Sequence, residues 1–192
     1  MFFQVKHQSV DWSSENGQLL SDSLVLSDKA KKYALATKVY QLNSPQIILN
    51  SLYPCISIIF AYLMATKINR RFDLIKKPFY VRGVVYSLLS LLFYGYYSML
   101  KDNTDIYYES TADENISKIN NEYLEGGIEF LSKTLQRNIA FRNLLGPEGE
   151  KYYTSSGNEV IFIRTKRLPL THRKTNLENR KENDNNFNII IV

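Results

Sequence analysis

A chain of 192 residues, 22% of them charged, has room for one ordinary domain with appendages. Its single cysteine, Cys55, excludes an intramolecular disulfide, and with only His7 and His172 beside it the residues speak against a nitrogen–sulfur zinc or copper site, so no cofactor is expected. The net charge of +5 is regional: residues 67–82 carry +5, residues 101–160 carry −5 and residues 161–192 carry +4. This is not the aromatic-interleaved basic face of a nucleic-acid binder, and no nucleic-acid partner is expected.

The opening MFFQVKHQSVDW lacks the hydrophobic core and small-residue cleavage site of a secretory signal, and the Arg-rich amphipathic pattern of a transit peptide. Residues 1–46 read as an extramembrane segment. Asn16-Gly17 is a tight-turn signal, which predicts a short hairpin with strands around Val10 and Trp12 and around Leu24 and Leu26. Ser27 then caps a helix, DKAKKYALATKVYQL, with Asp28 at its dipole-favoured start and Leu35, Val39 and Leu42 on one stripe. The helix runs toward a break at Pro45.

Residues 47–66, IILNSLYPCISIIFAYLMAT, carry no charge. At about 1.5 Å per residue, such a run crosses the roughly 30 Å of bilayer hydrocarbon as a helix. Residues 83–100, GVVYSLLSLLFYGYYSML, form a second uncharged run near the short end of the spanning range. Two buried helices of a soluble protein fit less well, because such helices keep one wet face. The expected fold is therefore a mainly α membrane protein: a two-span transmembrane helical hairpin with extramembrane helices and short β-hairpins.

The loop between the runs, residues 67–82, holds Lys67, Arg70, Arg71, Lys76, Lys77 and Arg82. The 20 residues before the first run hold four basic groups and the 20 after the second hold two, so the positive-inside rule retains the loop on the cytoplasmic or matrix side. The same cations suit anionic lipid headgroups, cardiolipin included. Phe72, Phe79 and Tyr80 near the loop, and Phe93, Tyr94, Tyr96 and Tyr97 at the far end, suit either interfacial belts or helix–helix packing.

Residues 101–175 read as an extramembrane helical region. Ile116, Ile119, Tyr123, Gly127, Leu131, Leu135 and Ile139 recur at helical spacing, and Gly146-Pro147 supplies a stop. Gly126-Gly127 marks either a hinge or a close helix contact. This element, with Gly126, Gly127, Phe130 and Arg142, is the candidate docking site for a partner; the alternative is packing on the upstream helix of the same chain. Ser156-Gly157-Asn158 predicts a turn between 151–154 and 160–163, a second short hairpin. Arg164, Lys166, Arg167, Arg173 and Lys174 read as a solvated basic tail. Residues 176–192, rich in asparagine, read as disordered.

No acid–base or nucleophile constellation stands out. The acids are scattered in Glu–Lys spacing, and Cys55 has no activating charge near it in sequence. An enzyme is not expected. With no ionisable residue in either run, a pore is not expected either.

The stretch 10–44, and above all GGIEFLSKTLQRNIAFRNLLGPEGEKYYTSSGN, resembles the transmembrane protein 177 family. The second block pairs Gly126-Gly127 with Glu129-Phe130, then Asn138, Ala140, Arg142, Leu144-Leu145-Gly146, Gly149-Glu150, Tyr153-Thr154 and Ser156-Gly157-Asn158. The resemblance covers roughly residues 6 to 175, the C-terminal two-thirds of the family pattern. It implies a non-enzymatic factor of the mitochondrial inner membrane that assists cytochrome c oxidase assembly, with subunit II and its membrane chaperone as partners. It places the loop in the matrix and the flanks in the intermembrane space, and implies no catalytic residue. It also implies a longer N-terminal part with a further span, so this chain begins near the family's middle. A structural membrane tether with anionic-lipid contacts and no dedicated client is the alternative function.

Overall fold

The computed structural model describes residues 10–161 and 164–190. Its helices, in order, are α1 (Glu15–Leu24), α2 (Asp28–Leu42), α3 (Gln46–Phe72), α4 (Phe79–Ser117), α5 (Asn121–Leu145), α6 (Gly149–Tyr152) and α7 (Leu170–Ile190), with a 3-10 turn at Leu74–Lys76. The chain divides into two units: Tyr40–Glu109, and Met1–Val39 with Ser110–Val192.

In the first unit, both uncharged runs lie inside longer helices, α3 of 27 residues and α4 of 39. Pro54 stands within α3. The helices run antiparallel, as their cross-bonds show. Tyr86 donates to Asn69 Oδ1 at 2.9 Å, Ser57 Oγ to the Phe93 carbonyl at 2.8 Å, and the Gln46 and Asn50 amides to Asp105 Oδ1 at 2.8 and 2.7 Å. Few residues of either apolar stretch are fully buried, and each stretch is long and apolar enough to cross a membrane. Phe72, Phe79 and Tyr80 are exposed beside the turn, and Tyr94 and Tyr96 are exposed further along α4.

In the second unit, α5 is the central helix and packs against α1, α6 and α7. Its buried positions, Leu124, Leu131 and Leu135, join Leu20 of α1, Ala30 and Tyr33 of α2, Ala112 and Ile116 of α4 and Leu177 of α7 in one core. Asn120 caps α5 by accepting from Tyr123 N, and Gly146, with φ 57°, ends it before Pro147. Ser27 caps α2 by accepting from Ala30 N at 3.3 Å.

Three expectations are corrected. The Asn16-Gly17 pair lies inside α1, not in a hairpin. Ser14 accepts the Gly17 N–H at 3.1 Å as N-cap, and the glycine serves a close approach, since a Cβ there would stand 2.2 Å from the Asp11 carbonyl oxygen. No strand occurs among the described residues; the second predicted hairpin is reduced to an isolated bridge, Tyr153 to Glu159, around the expected turn at Gly157, and residues 162 and 163 lie outside the described set. Finally, the tail expected to be disordered from residue 176 continues α7 to Ile190. Arg173 and Leu177 on its first turns are held by tertiary contacts, which override poor asparagine propensity.

Candidate functional site

The predicted basic loop is shorter than its sequence span. Lys67, Arg70 and Arg71 ride on the last turns of α3, Lys76 ends the 3-10 turn and Lys77 caps it, and Arg82 lies in the first turn of α4. Asp73 makes the reversal with φ 46°, an uncommon left-handed conformation for a residue other than glycine. The sequence grouping therefore becomes a spatial one at a single end of the helix pair. All six are solvent-exposed except Arg82, which is half-buried. Lys76 pairs with Asp73 at 3.4 Å across an exposed surface, a contact of little energetic weight.

Gly126 and Gly127 are buried against α2 of their own chain. A Cβ on Gly126 would stand 2.4 Å from the Lys29 carbonyl oxygen, and one on Gly127 would stand 2.7 Å from the Tyr33 ring. Phe130, one turn on, meets the same Tyr33 ring with centroids 6.2 Å apart. The pair is therefore a close helix contact and not a hinge. This arrangement answers to the alternative reading, packing on the upstream helix. Arg142 stands apart from the three and pairs with Glu150 at 2.8 Å. The candidate docking element is thus occupied by intramolecular contacts at both glycines.

The same helix pair is bound along its rim. Lys29 reaches Glu125 at 2.9 Å, Lys32 reaches Glu122 at 2.8 Å, and Ser27 donates its N–H and hydroxyl to the two Glu129 oxygens at 3.1 and 2.5 Å. Lys133 donates to the carbonyls of Asp22, in the last turn of α1, and of Val25, which caps it. Hydrogen bonds from Lys29 and then Lys181 hold the Glu125 carboxyl below its ordinary range, and the Ser27 hydroxyl does the same for Glu129. Glu125 and Glu122, in turn, raise Lys29 and Lys32.

Beneath that rim lies a buried polar centre that sequence reasoning missed. Asp113 accepts Arg173 Nε at 2.6 Å, Arg173 Nη2 at 2.8 Å and the Tyr33 hydroxyl at 2.7 Å. The two charged side chains are 8% and 10% exposed, so each depends on the other for compensation. Burial first, then the Asp113 carboxylate, pushes the Tyr33 phenol far above its ordinary range and keeps it a neutral donor. Arg173, expected in the solvated basic tail, is instead buried against Asp113 and anchors α7. The partners are 80 and 60 residues apart in sequence, and no local pattern pairs them.

Chemically, this centre is a closed structural pairing. Both carboxylate oxygens of Asp113 accept hydrogen bonds from the chain itself, and no group of three or more metal-ligating side chains occurs among the described residues. His172 is exposed and its Nδ1 lies 3.3 Å from the Asn176 amide nitrogen. Cys55 is exposed on α3, while His7 lies outside the described residues.

No solved structure matches the chain. The transmembrane protein 177 family matches residues 1–191, beyond the end at 175 expected from the motifs alone. Transmembrane protein 177 of Rattus norvegicus is 34% identical over 172 residues, covering 88% of this chain and 55% of its own length. The Homo sapiens protein of that name is 33% identical over 168 residues, covering 86% and 54%, and that of Xenopus laevis is 32% identical over 179 residues, covering 91% and 57%. The chain spans about half the length of these curated relatives. With two exposed apolar helices of spanning length and a match along nearly all its residues, the chain is a membrane protein and belongs to the transmembrane protein 177 family.

Proposed function

We propose that this chain is a non-enzymatic factor of the mitochondrial inner membrane that assists cytochrome c oxidase biogenesis by associating with subunit II and its membrane chaperone and stabilising them. Family membership supports the reading. The observation that carries it is the contrast between two kinds of surface: the extramembrane bundle closes on its own core, whereas few residues in the apolar stretches of the two long helices are fully buried. A membrane-protein client can pack on such helices through the close van der Waals and hydrogen-bond contacts that drive association in lipid. The chain has one cysteine, two histidines and three methionines, too few for a copper carrier, so its help is scaffolding and not metal delivery. The basic end of the helix pair faces the matrix and both flanks lie in the intermembrane space, as the excess of Lys and Arg directs.

The test is gentle detergent extraction of mitochondria carrying the tagged chain, after labelling newly made mitochondrial proteins. Selective recovery of labelled subunit II supports the reading. Recovery of no labelled protein with a correctly inserted chain favours a structural tether that contacts anionic lipid. The exposed group Lys67, Arg70, Arg71, Lys76 and Lys77 at one end of the helix pair is the observation that keeps that second reading in play.

A further inference from the structure

Helix α2 carries apolar residues on two opposite faces. One face, with Ala30 and Tyr33, is covered by α5 through Gly126, Gly127 and Phe130. The other holds Leu35, Val39 and Leu42, which are 68%, 62% and 67% exposed. Their spacing of four and three residues lines them along one side of the helix, over about 10 Å. Lys31 and Lys38 border this stripe on one side, and Lys32, which reaches Glu122 of α5, lies on the other. Only Asn43, Ser44 and Pro45 separate Leu42 from α3, whose first turn exposes Ile47 and Ile48 at 52% and 65%. The uncovered apolar surface is thus continuous in sequence from α2 into a membrane-spanning helix.

We infer that α2 is an interfacial helix, with Leu35, Val39 and Leu42 seated at the boundary between lipid headgroups and acyl chains. An apolar stripe bordered by lysines is the pattern such helices use: the stripe enters the acyl boundary and the lysine stems reach back to the phosphates. Continuity with the spanning helix selects lipid as the occupant, because the start of α3 fixes the neighbouring end of α2 at the membrane surface. One helix then does two things: its inner face closes the extramembrane core and its outer face rests on the bilayer. The inference does not depend on the identity of any client.

The test uses the full chain in a Cys55→Ser background, with Leu35→Cys or Val39→Cys carrying an environment-sensitive nitrobenzoxadiazole label. The chain is reconstituted into phosphatidylcholine vesicles containing cardiolipin and a shallow nitroxide-labelled lipid. Ser21→Cys, exposed on α1, is the aqueous control. Both stripe labels should emit to the blue of the control and be quenched at least threefold more strongly by the nitroxide lipid. Water-like emission at 35 and 39 overturns the inference. So does blue emission that the nitroxide lipid does not quench, which would show a protein surface, such as a second copy of the chain, over the stripe. All substituted positions are exposed, so the labels report on the folded bundle, and circular dichroism of each variant verifies this.

Discussion

Arg173 holds Asp113 in a two-pronged grip, Nε at 2.6 Å and Nη2 at 2.8 Å, joining the start of α7 to the last turns of α4 across 60 residues of sequence. Tyr33 adds a third bond from α2. Three helices of this bundle therefore meet on one carboxylate.

Asp113→Asn should cost about 3–5 kcal/mol of bundle stability, because it leaves a buried guanidinium without a charged partner. Tyr33→Phe removes a single hydrogen bond to a charged group and should cost less, about 1.5–3 kcal/mol. Thermal unfolding of the detergent-solubilised chain, followed by circular dichroism, ranks the two. Equal effects would contradict the assignment of Asp113–Arg173 as the stronger pairing.

The adjacent glycines should differ. Gly126→Ala drives a Cβ against the backbone carbonyl of Lys29, which cannot move without displacing α2. The obstacles at Gly127 are the Tyr33 ring and the end of the Leu177 side chain, which have some freedom to shift. Alanine's helix propensity gain of about 1 kcal/mol is common to both. Overpacking of about 1–3 kcal/mol should exceed it at 126 and come nearer to cancelling it at 127. Melting temperatures of the two variants check the order.

Bundle stability should fall at both ends of the pH scale. Glu125 and Glu129 titrate below their ordinary 4.5 when folded, so their contribution is present above that value and lost as pH falls through the folded values. Lys29 and Lys32 titrate above 10.5, and Tyr33 above 10.0, when folded, so their contribution is present below those values and lost as pH rises. A plateau from about pH 5 to 10 is expected. Glu129→Gln should flatten the acid limb and Tyr33→Phe the alkaline limb in denaturant titrations across pH.

Replacing Arg70, Arg71, Lys76 and Lys77 by glutamine should weaken binding to cardiolipin-containing vesicles, by roughly 1 kcal/mol per residue at low salt. It should also produce a fraction of inverted chains, visible by protease protection of a C-terminal tag. Unchanged lipid binding and a single orientation would remove both roles from the basic end.

Cys55 is exposed on α3, where its thiol lies 3.8 Å from the Ser51 carbonyl oxygen. Cys55→Ser should leave cytochrome c oxidase levels within experimental error in cells that depend on the chain. A severe loss would count against scaffolding without thiol chemistry.

What could be read from the sequence was whatever depends on neighbours in sequence. The uncharged runs 47–66 and 83–100 fall inside α3 and α4, Ser27 caps α2, and Gly146-Pro147 ends α5. Asn16-Gly17 misled because the same dipeptide that suits a turn is overruled by a Ser14 cap and by the nearby Asp11 carbonyl. Helix α7 was missed because its order comes from Arg173 and Leu177 reaching distant partners and not from asparagine propensity. At Gly126-Gly127 the sequence left a hinge and a close contact both open and offered the upstream helix as one packing partner; the structure selects that contact with α2. The Tyr33–Asp113–Arg173 centre was illegible, since a lone tyrosine, aspartate and arginine on separate helices carry no pattern until the fold brings them together.

The order in which the chain is made gives the Asp113–Arg173 pair a temporal meaning. A growing or translocating polypeptide presents residue 113 long before residue 173. Until the last helix arrives, the carboxylate must stay hydrated, and the faces of α2, α4 and α5 around it cannot close dry. A chain that lacks α7 would therefore leave the Asp113 carboxylate without its charged partner and display a hydrated core to whatever surveys newly inserted membrane proteins.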